Sequence, residues 1–226
     1  MRIPLAKYGI RELVLFGGLT LAAAVLAALA AIGFAMILFW LLALLFAAGF
    51  VFVLCFFRDP TRRIPDTPGA VVAPADGKVV EVTEIAEAPL AGGRAVRIGI
   101  FMSLASVHVN RAPCAGRVEA VEHRPGRFLN AMDPASSAEN ESAAVVIGEA
   151  EGRPLKIVVR QVAGLLARRI VCDVAEGTRI ERGQRIGMIK FGSRAEVYVP
   201  ADSGFEVLVR PGQHATAGET ILGRLR

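Results

Sequence analysis

Residues 13–57 carry no charged side chain, and that run of 45 residues constrains the fold more than any other feature of the chain. Thr20 is its main polar interruption. A single helix of that length, at about 1.5 Å per residue, would reach roughly twice the ~30 Å of a bilayer core. Two passes fit instead, near residues 13–32 and 36–57, with a turn around 31–34 that Gly33 eases. The apolar part of a cleaved signal peptide is far shorter, about 7–15 residues. Arg2, Lys7 and Arg11 precede the run, and Arg58, Arg62 and Arg63 follow it. Positive charge on both flanks predicts that both ends face the cytoplasm, which requires an even number of crossings. Residues 1–57 therefore read as an α-helical transmembrane hairpin in the cytoplasmic (inner) membrane.

Residues 58–69, punctuated by Pro60, Pro65 and Pro68, read as a linker, and residues 70–226 suffice for one domain on the cytoplasmic face. The formal charge of +5 admits a nucleic-acid partner, but no recognition motif and no interleaving of basic with aromatic residues supports one. The juxtamembrane arginines suit anionic lipid instead. After the linker, short alternating apolar runs predict strands at 79–82, 95–101, 117–121, 144–147, 155–162, 170–174, 185–190, 195–199 and 205–209. Helical periodicity is confined to 102–107 and 126–132. Two echoes punctuate the strands. Ala73-Pro74-Ala75-Asp76-Gly77-Lys78-Val79 recurs as Ala112-Pro113-Cys114-Ala115-Gly116-Arg117-Val118, and the spacing Val174, Gly177, Gly183 recurs as Val209, Gly212, Gly218. The domain is thus mostly β, barrel- or sandwich-like, with glycine turns of the kind found in lipoyl and biotinyl carriers. No carrier-type lysine context accompanies them. Cys55, Cys114 and Cys172 are too few and too dispersed for a disulfide framework or a zinc site, and no metal is expected.

Three histidines limit the acid–base chemistry available: His108 among valines before a turn, and His123 and His214 in loop-like surroundings. Gly192-Ser193 stands between two strand candidates, where glycine leaves its carbonyl open to a neighbouring hydroxyl. An isolated Gly-Ser pair is ordinarily a turn, and a Gly-x-Ser-x-Gly elbow is lacking, which weighs against an ordinary serine hydrolase.

Taken in order, Phe56-Phe57-Arg58-Asp59-Pro60, Pro74-Ala75-Asp76-Gly77, Val107-His108-Val109-Asn110-Arg111-Ala112-Pro113, Gln161-Val162-Ala163-Gly164 with Ala167-Arg168-Arg169-Ile170, and Phe191-Gly192-Ser193 span nearly the whole chain. In this the chain resembles the short bacterial class of phosphatidylserine decarboxylase proenzymes. The resemblance implies a self-cleaving precursor, cut between 192 and 193 into a β chain (1–192) and an α chain (193–226) that stay together as a heterodimer. It implies a covalent pyruvoyl cofactor derived from Ser193 and decarboxylation of phosphatidylserine to phosphatidylethanolamine. By the same resemblance His108 is the base and Asp76 its orienting partner; a histidine suits proton transfer near neutral pH. Arg111 is a candidate for the lipid phosphate, because a guanidinium matches that anion. Longer members of the family carry a second histidine where this chain has Arg111; if that histidine is their cleavage base, then here His108 serves both cleavage and decarboxylation or another group helps. Two other readings stand beside this one: a membrane-anchored β-rich binding module without chemistry, and a decarboxylase of another serine-headgroup lipid.

Overall fold

The computed structural model describes residues 5–88, 90, 92–165, 169–190 and 193–226. The chain divides into two compact units, Met1–Thr61 and Arg62–Arg226.

The first unit is a helical hairpin. Its helices, Lys7–Phe34 and Ile37–Phe56, are each long and apolar enough to cross a membrane. The turn falls at Ala35, in the left-handed conformation, and Met36. The expected position, around 31–34, lies a few residues too early, inside the first helix. Small residues let the helices approach: a Cβ at Gly49 would lie 3.6 Å from Thr20 Cγ2, and one at Gly17 would lie 3.6 Å from Phe50. The Thr20 hydroxyl donates back to the Phe16 carbonyl at 2.7 Å, so its polarity is satisfied within its own helix.

The second unit is the expected mostly β domain. Its strands are β1 (Ala70–Val72), β2 (Gly77–Ile85), β3 (Ala95–Met102), β4 (Val109–Arg111), β5 (Gly116–Arg124), β6 (Ser142–Gly148) and β7 (Ile157–Val162). They continue as β8 (Arg169–Cys172), β9 (Arg179–Ile180), β10 (Arg185–Lys190), β11 (Ser193–Pro200), β12 (Phe205–Val207), β13 (His214–Ala215) and β14 (Ile221–Leu225). An eight-stranded sheet runs β13-β2-β3-β11-β7-β6-β5-β9, beside two three-stranded sheets, β1-β14-β12 and β4-β10-β8. All nine predicted strands are present. The helical readings at 102–107 and 126–132 are not: Met102 ends β3 and the residues after each start are turns and loop, while the domain's short α-helix is Ser136–Glu139.

The sheet order is symmetric about the pair β11–β7, and the registers show why. Seven pairs from Lys78 opposite Phe101 to Ile85 opposite Ala95 match seven from Arg117 opposite Gly148 to Arg124 opposite Ser142, with a bulge at the same step. β13 meets β2 as β9 meets β5, and β1 meets β14 as β4 meets β10, again with the same irregularity. The glycine echoes hold these joints. Gly177, Gly183, Gly212 and Gly218 all have positive φ, which glycine adopts without steric cost. Their amides make equivalent bonds, Gly177 to Val118 and Gly212 to Val79, Gly183 to Ala112 and Gly218 to Ala73, each at 2.8 Å.

The domain is therefore two copies of one seven-stranded motif, one nested inside the other. The inner copy, β4–β10, is continuous. The outer copy is β1–β3 followed by β11–β14, and the inner copy is inserted between Met102 and Ser193. Where β6 passes into β7 within one copy, the equivalent passage from β3 to β11 is interrupted. Residues 103–108 lead into the inner copy from that sheet end, where Met102 of β3 pairs with Ser193, the first residue of β11.

Candidate active site

β11 alternates, and its two faces meet different surroundings. Ala195, Val197 and Val199 are fully buried in the apolar core, each valine contributing about 1.5–3 kcal/mol by burial. Ser193 lies on this same face, fully buried at the end of the core and opposite Met102 of β3. Its hydroxyl donates to Met102 Sδ at 3.3 Å.

His108 reaches the same end from β4. The ladder pairs Met188 with Val109 and Gly187 with Asn110, and the Ile189 amide donates to the His108 carbonyl at 3.3 Å. His108 is thus fully buried beside the strand that leads to Ser193. Next to it, Asn110 Nδ2 lies 3.7 Å from Met102 Sδ and 3.5 Å from the Pro74 carbonyl. Gln161 Nε2, from β7, donates to Asn110 Oδ1 at 2.9 Å. Asn110, Gln161 and Met102 are all fully buried. The first two stand in the motifs quoted above, but sequence reasoning gave them no role. A buried amide pair between residues 51 positions apart leaves no local pattern.

Asp76 stands in the turn before β2. Arg62 Nη2 donates to both carboxylate oxygens at 2.8–2.9 Å, and the Ala217 amide donates to Oδ1 at 2.8 Å. These bonds tie the turn to the linker and to the 216–218 turn. Arg111 is buried, and its Nη1 donates to the Gly183 carbonyl at 2.9 Å, which engages one arm of the guanidinium with the protein. His123 and His214 are exposed, the former 3.2 Å from Glu141. Gly192, the other half of the expected cleavage site, lies outside the described residues, as do Phe191 and the Ala167-Arg168 part of the fourth motif.

The repeat supplies an internal control. Through the matched registers Ser193 corresponds to Leu155, Met102 to Glu149, His108 to Gly69, Asn110 to Val71, Asp76 to Ala115 and Gln161 to Val199. The correspondence extends to single bonds: Leu225 N to Gly69 O repeats Ile189 N to His108 O. The same motif thus closes its other end without a nucleophile, an imidazole or a buried amide pair. Burying polar groups costs stability unless each finds a partner. Their concentration at one end exceeds what the fold requires.

The opposite face of β11 carries charge. Arg194 Nε donates to Glu196 Oε1 at 2.7 Å, and its Nη2 bonds Glu81 of β2. A Cβ at position 99 would lie 2.6 Å from Arg194 Nη2, so Gly99 gives the guanidinium its path across β3. Tyr198 donates to Glu196 Oε2 at 2.6 Å, and Arg160 Nη1 lies 3.6 Å from the same oxygen. Burial pushes the Glu81 carboxyl up, but hydrogen bonds and charge from Arg194 and Arg97 outweigh it and hold it below the usual range. Burial and then the Glu196 charge push the Tyr198 hydroxyl up to about 12. Glu196, Arg194 and Arg160 are almost wholly buried, so this cluster fixes the first residues of β11 from behind.

A family model described as phosphatidylserine decarboxylase matches residues 50–223. A phosphatidylserine decarboxylase proenzyme of Symbiobacterium thermophilum is 49% identical over 191 residues, 84% of this chain and 87% of that protein. One from Rhodopirellula baltica is 42% identical over 224 residues, 98% of this chain and 88% of that protein. One from Cereibacter sphaeroides is 50% identical over 174 residues, 75% of this chain and 73% of that protein. A matching model over most of the chain and relatives this similar along most of their lengths leave one conclusion: the chain belongs to the phosphatidylserine decarboxylase family.

Proposed function

We propose that this protein is a self-cleaving, pyruvoyl-dependent decarboxylase that converts phosphatidylserine to phosphatidylethanolamine and CO2. The observation that carries the reading is the asymmetry of the two ends of the repeat. Ser193, His108 and the buried amides gather at the seam where the inner copy enters, and their counterparts are apolar or lack a side chain, apart from Glu149.

In maturation, Ser193 Oγ attacks the Gly192 carbonyl carbon, His108 takes the hydroxyl proton, and the proton passes to the Ser193 nitrogen as the Gly192–Ser193 amide breaks. An ester through Oγ replaces the amide. Removal of the residue 193 Cα proton then breaks the Cβ–Oγ bond, and residues 1–192 leave with a C-terminal carboxylate. Water displaces ammonia from the remaining unsaturated amine and leaves a pyruvoyl group on residue 193. The surroundings fit such a group: position 193 is wholly buried against the Met102 thioether, which the neutral Asn110 amide approaches in turn, and His108 is buried on the segment that enters β4. The bound pyruvoyl ketone supplies an electrophilic carbonyl for the substrate amine and an electron sink when CO2 departs. His108 then returns a proton to the carbon that lost CO2. Asp76 enters as a fixed carboxylate held by Arg62 and the Ala217 amide, with acceptor capacity left on Oδ2 to orient the imidazole.

The cut chains remain one body in this reading because the α chain carries four of the seven strands of the outer motif. β11 pairs with β3 and β7, β13 with β2, and β14 with β1. The helical hairpin spans the cytoplasmic membrane and keeps the domain on its inner face, where a two-chain lipid presents its headgroup. The test is Ser193→Ala: the purified variant stays uncut and releases no CO2 from phosphatidylserine vesicles. CO2 release by that variant would overturn the proposal.

A further inference from the structure

Resting on the self-cleavage reading, we propose that the buried amide pair Asn110–Gln161, acting through the Met102 thioether, positions the Ser193 hydroxyl for attack. The four side chains form one line. Gln161 Nε2 donates to Asn110 Oδ1 at 2.9 Å, Asn110 Nδ2 approaches Met102 Sδ at 3.7 Å, and Ser193 Oγ donates to that sulfur at 3.3 Å.

Methionine has three rotatable bonds and settles wherever its neighbours allow, so a thioether fixes a hydroxyl only when something fixes the thioether. Asn110 does this, and Gln161 with the Pro74 carbonyl fixes Asn110. The sulfur is a weak acceptor. It orients the hydroxyl hydrogen yet competes little with a base for the proton. A carboxylate or amide oxygen in its place would hold that proton more strongly. The same atom also suits the product side, since the hydroxymethyl of residue 193 becomes a methyl on conversion, and sulfur accepts from the hydroxyl of the first and packs against the second.

The fold itself has no use for these amides. At the equivalent positions the motif packs Val71 and Val199. Gln161 Oε1 is fully buried and has no hydrogen-bond partner among the described residues, a cost that folding alone does not explain.

The repeat dictates the experiment. In the full-length chain, Asn110→Val with Gln161→Met makes the pair apolar, as at the other end, and keeps the volume of the longer side chain. Met102→Leu, separately, removes the acceptor with little change in volume. Conversion of precursor to two chains is timed by intact mass, with thermal unfolding measured alongside in uncut Ser193→Ala versions. We expect both variants to unfold within about 3 °C of the parent or above it, and to cut about 10-fold more slowly or worse, the loss of roughly one oriented contact. Combining them adds little, because they interrupt one line. Wild-type cutting rates in Met102→Leu or in the double variant overturn the proposal while leaving self-cleavage intact. Slow cutting that merely tracks a lower unfolding temperature overturns it too. A parent chain that never cuts after Gly192 overturns the self-cleavage reading itself, and this inference with it.

Discussion

Replacing Glu196 by glutamine asks whether the charge cluster behind β11 anchors the strand that begins at Ser193. Glu196 is fully buried and takes Arg194 Nε at 2.7 Å and the Tyr198 hydroxyl at 2.6 Å, with Arg160 at 3.6 Å. Glutamine keeps the shape and one carbonyl acceptor but removes the charge. Arg194 retains Glu81, whereas Arg160 is left with the neutral Ser137 carbonyl and Ser142 hydroxyl in place of a carboxylate. Breaking a buried pair on one side costs about 3–5 kcal/mol, and the retained acceptor puts this case near 3. For a domain of this size about 2–4 °C accompany each kcal/mol, so the unfolding midpoint should fall by roughly 6–12 °C. The assay is thermal unfolding followed by circular dichroism in a Ser193→Ala background, which removes any difference in chain cleavage. Adding Arg160→Met should recover part of the loss, since the cation left without a carboxylate disappears. A midpoint within about 2 °C of the parent would refute the anchoring argument.

Other consequences follow from the same geometry. His108→Ala should slow maturation by about 100-fold or more, the usual scale of a lost general base, read as the half-time of the two-chain product. Tyr198 has its hydroxyl raised to about 12 in the folded protein, so its stabilising share is complete below about 10 and is lost as pH rises from 10 to 12. Tyr198→Phe should flatten that alkaline limb in unfolding measurements. Gly187 has φ +158°, and an added Cβ would lie 1.9 Å from the Val171 carbonyl. Gly187→Ala should therefore break the β10–β8 ladder and lower the unfolding midpoint by several degrees.

Much of the fold can be read from residue order alone, because short apolar runs separated by glycine turns mark most strands and hydropathy isolates the hairpin. What escapes is short or distant. β1, β4, β9, β13 and β14 span two to five residues each, too few for an alternation to emerge. Residues 102–107 imitate helical spacing, yet Met102 pairs with Ser193 and the strand must end there to let the inner copy begin. The glycine echoes are visible as repeats. That they mark two nested copies is not, because the halves of the outer copy lie on either side of residues 103–192 and are joined only by register. At the site, Ser193 and His108 stand out as residue types in quoted motifs. Asn110, Gln161 and Met102 matter through contacts that no local spacing encodes, and Asp76 looks like a partner for a histidine although its carboxylate is bound by Arg62.

The most direct test of the central claim is the denatured mass spectrum of the purified membrane protein. Two chains broken between Gly192 and Ser193 are expected, with the smaller one bearing a pyruvoyl terminus in place of serine. A single intact chain, unchanged on prolonged incubation at neutral pH, would contradict the account.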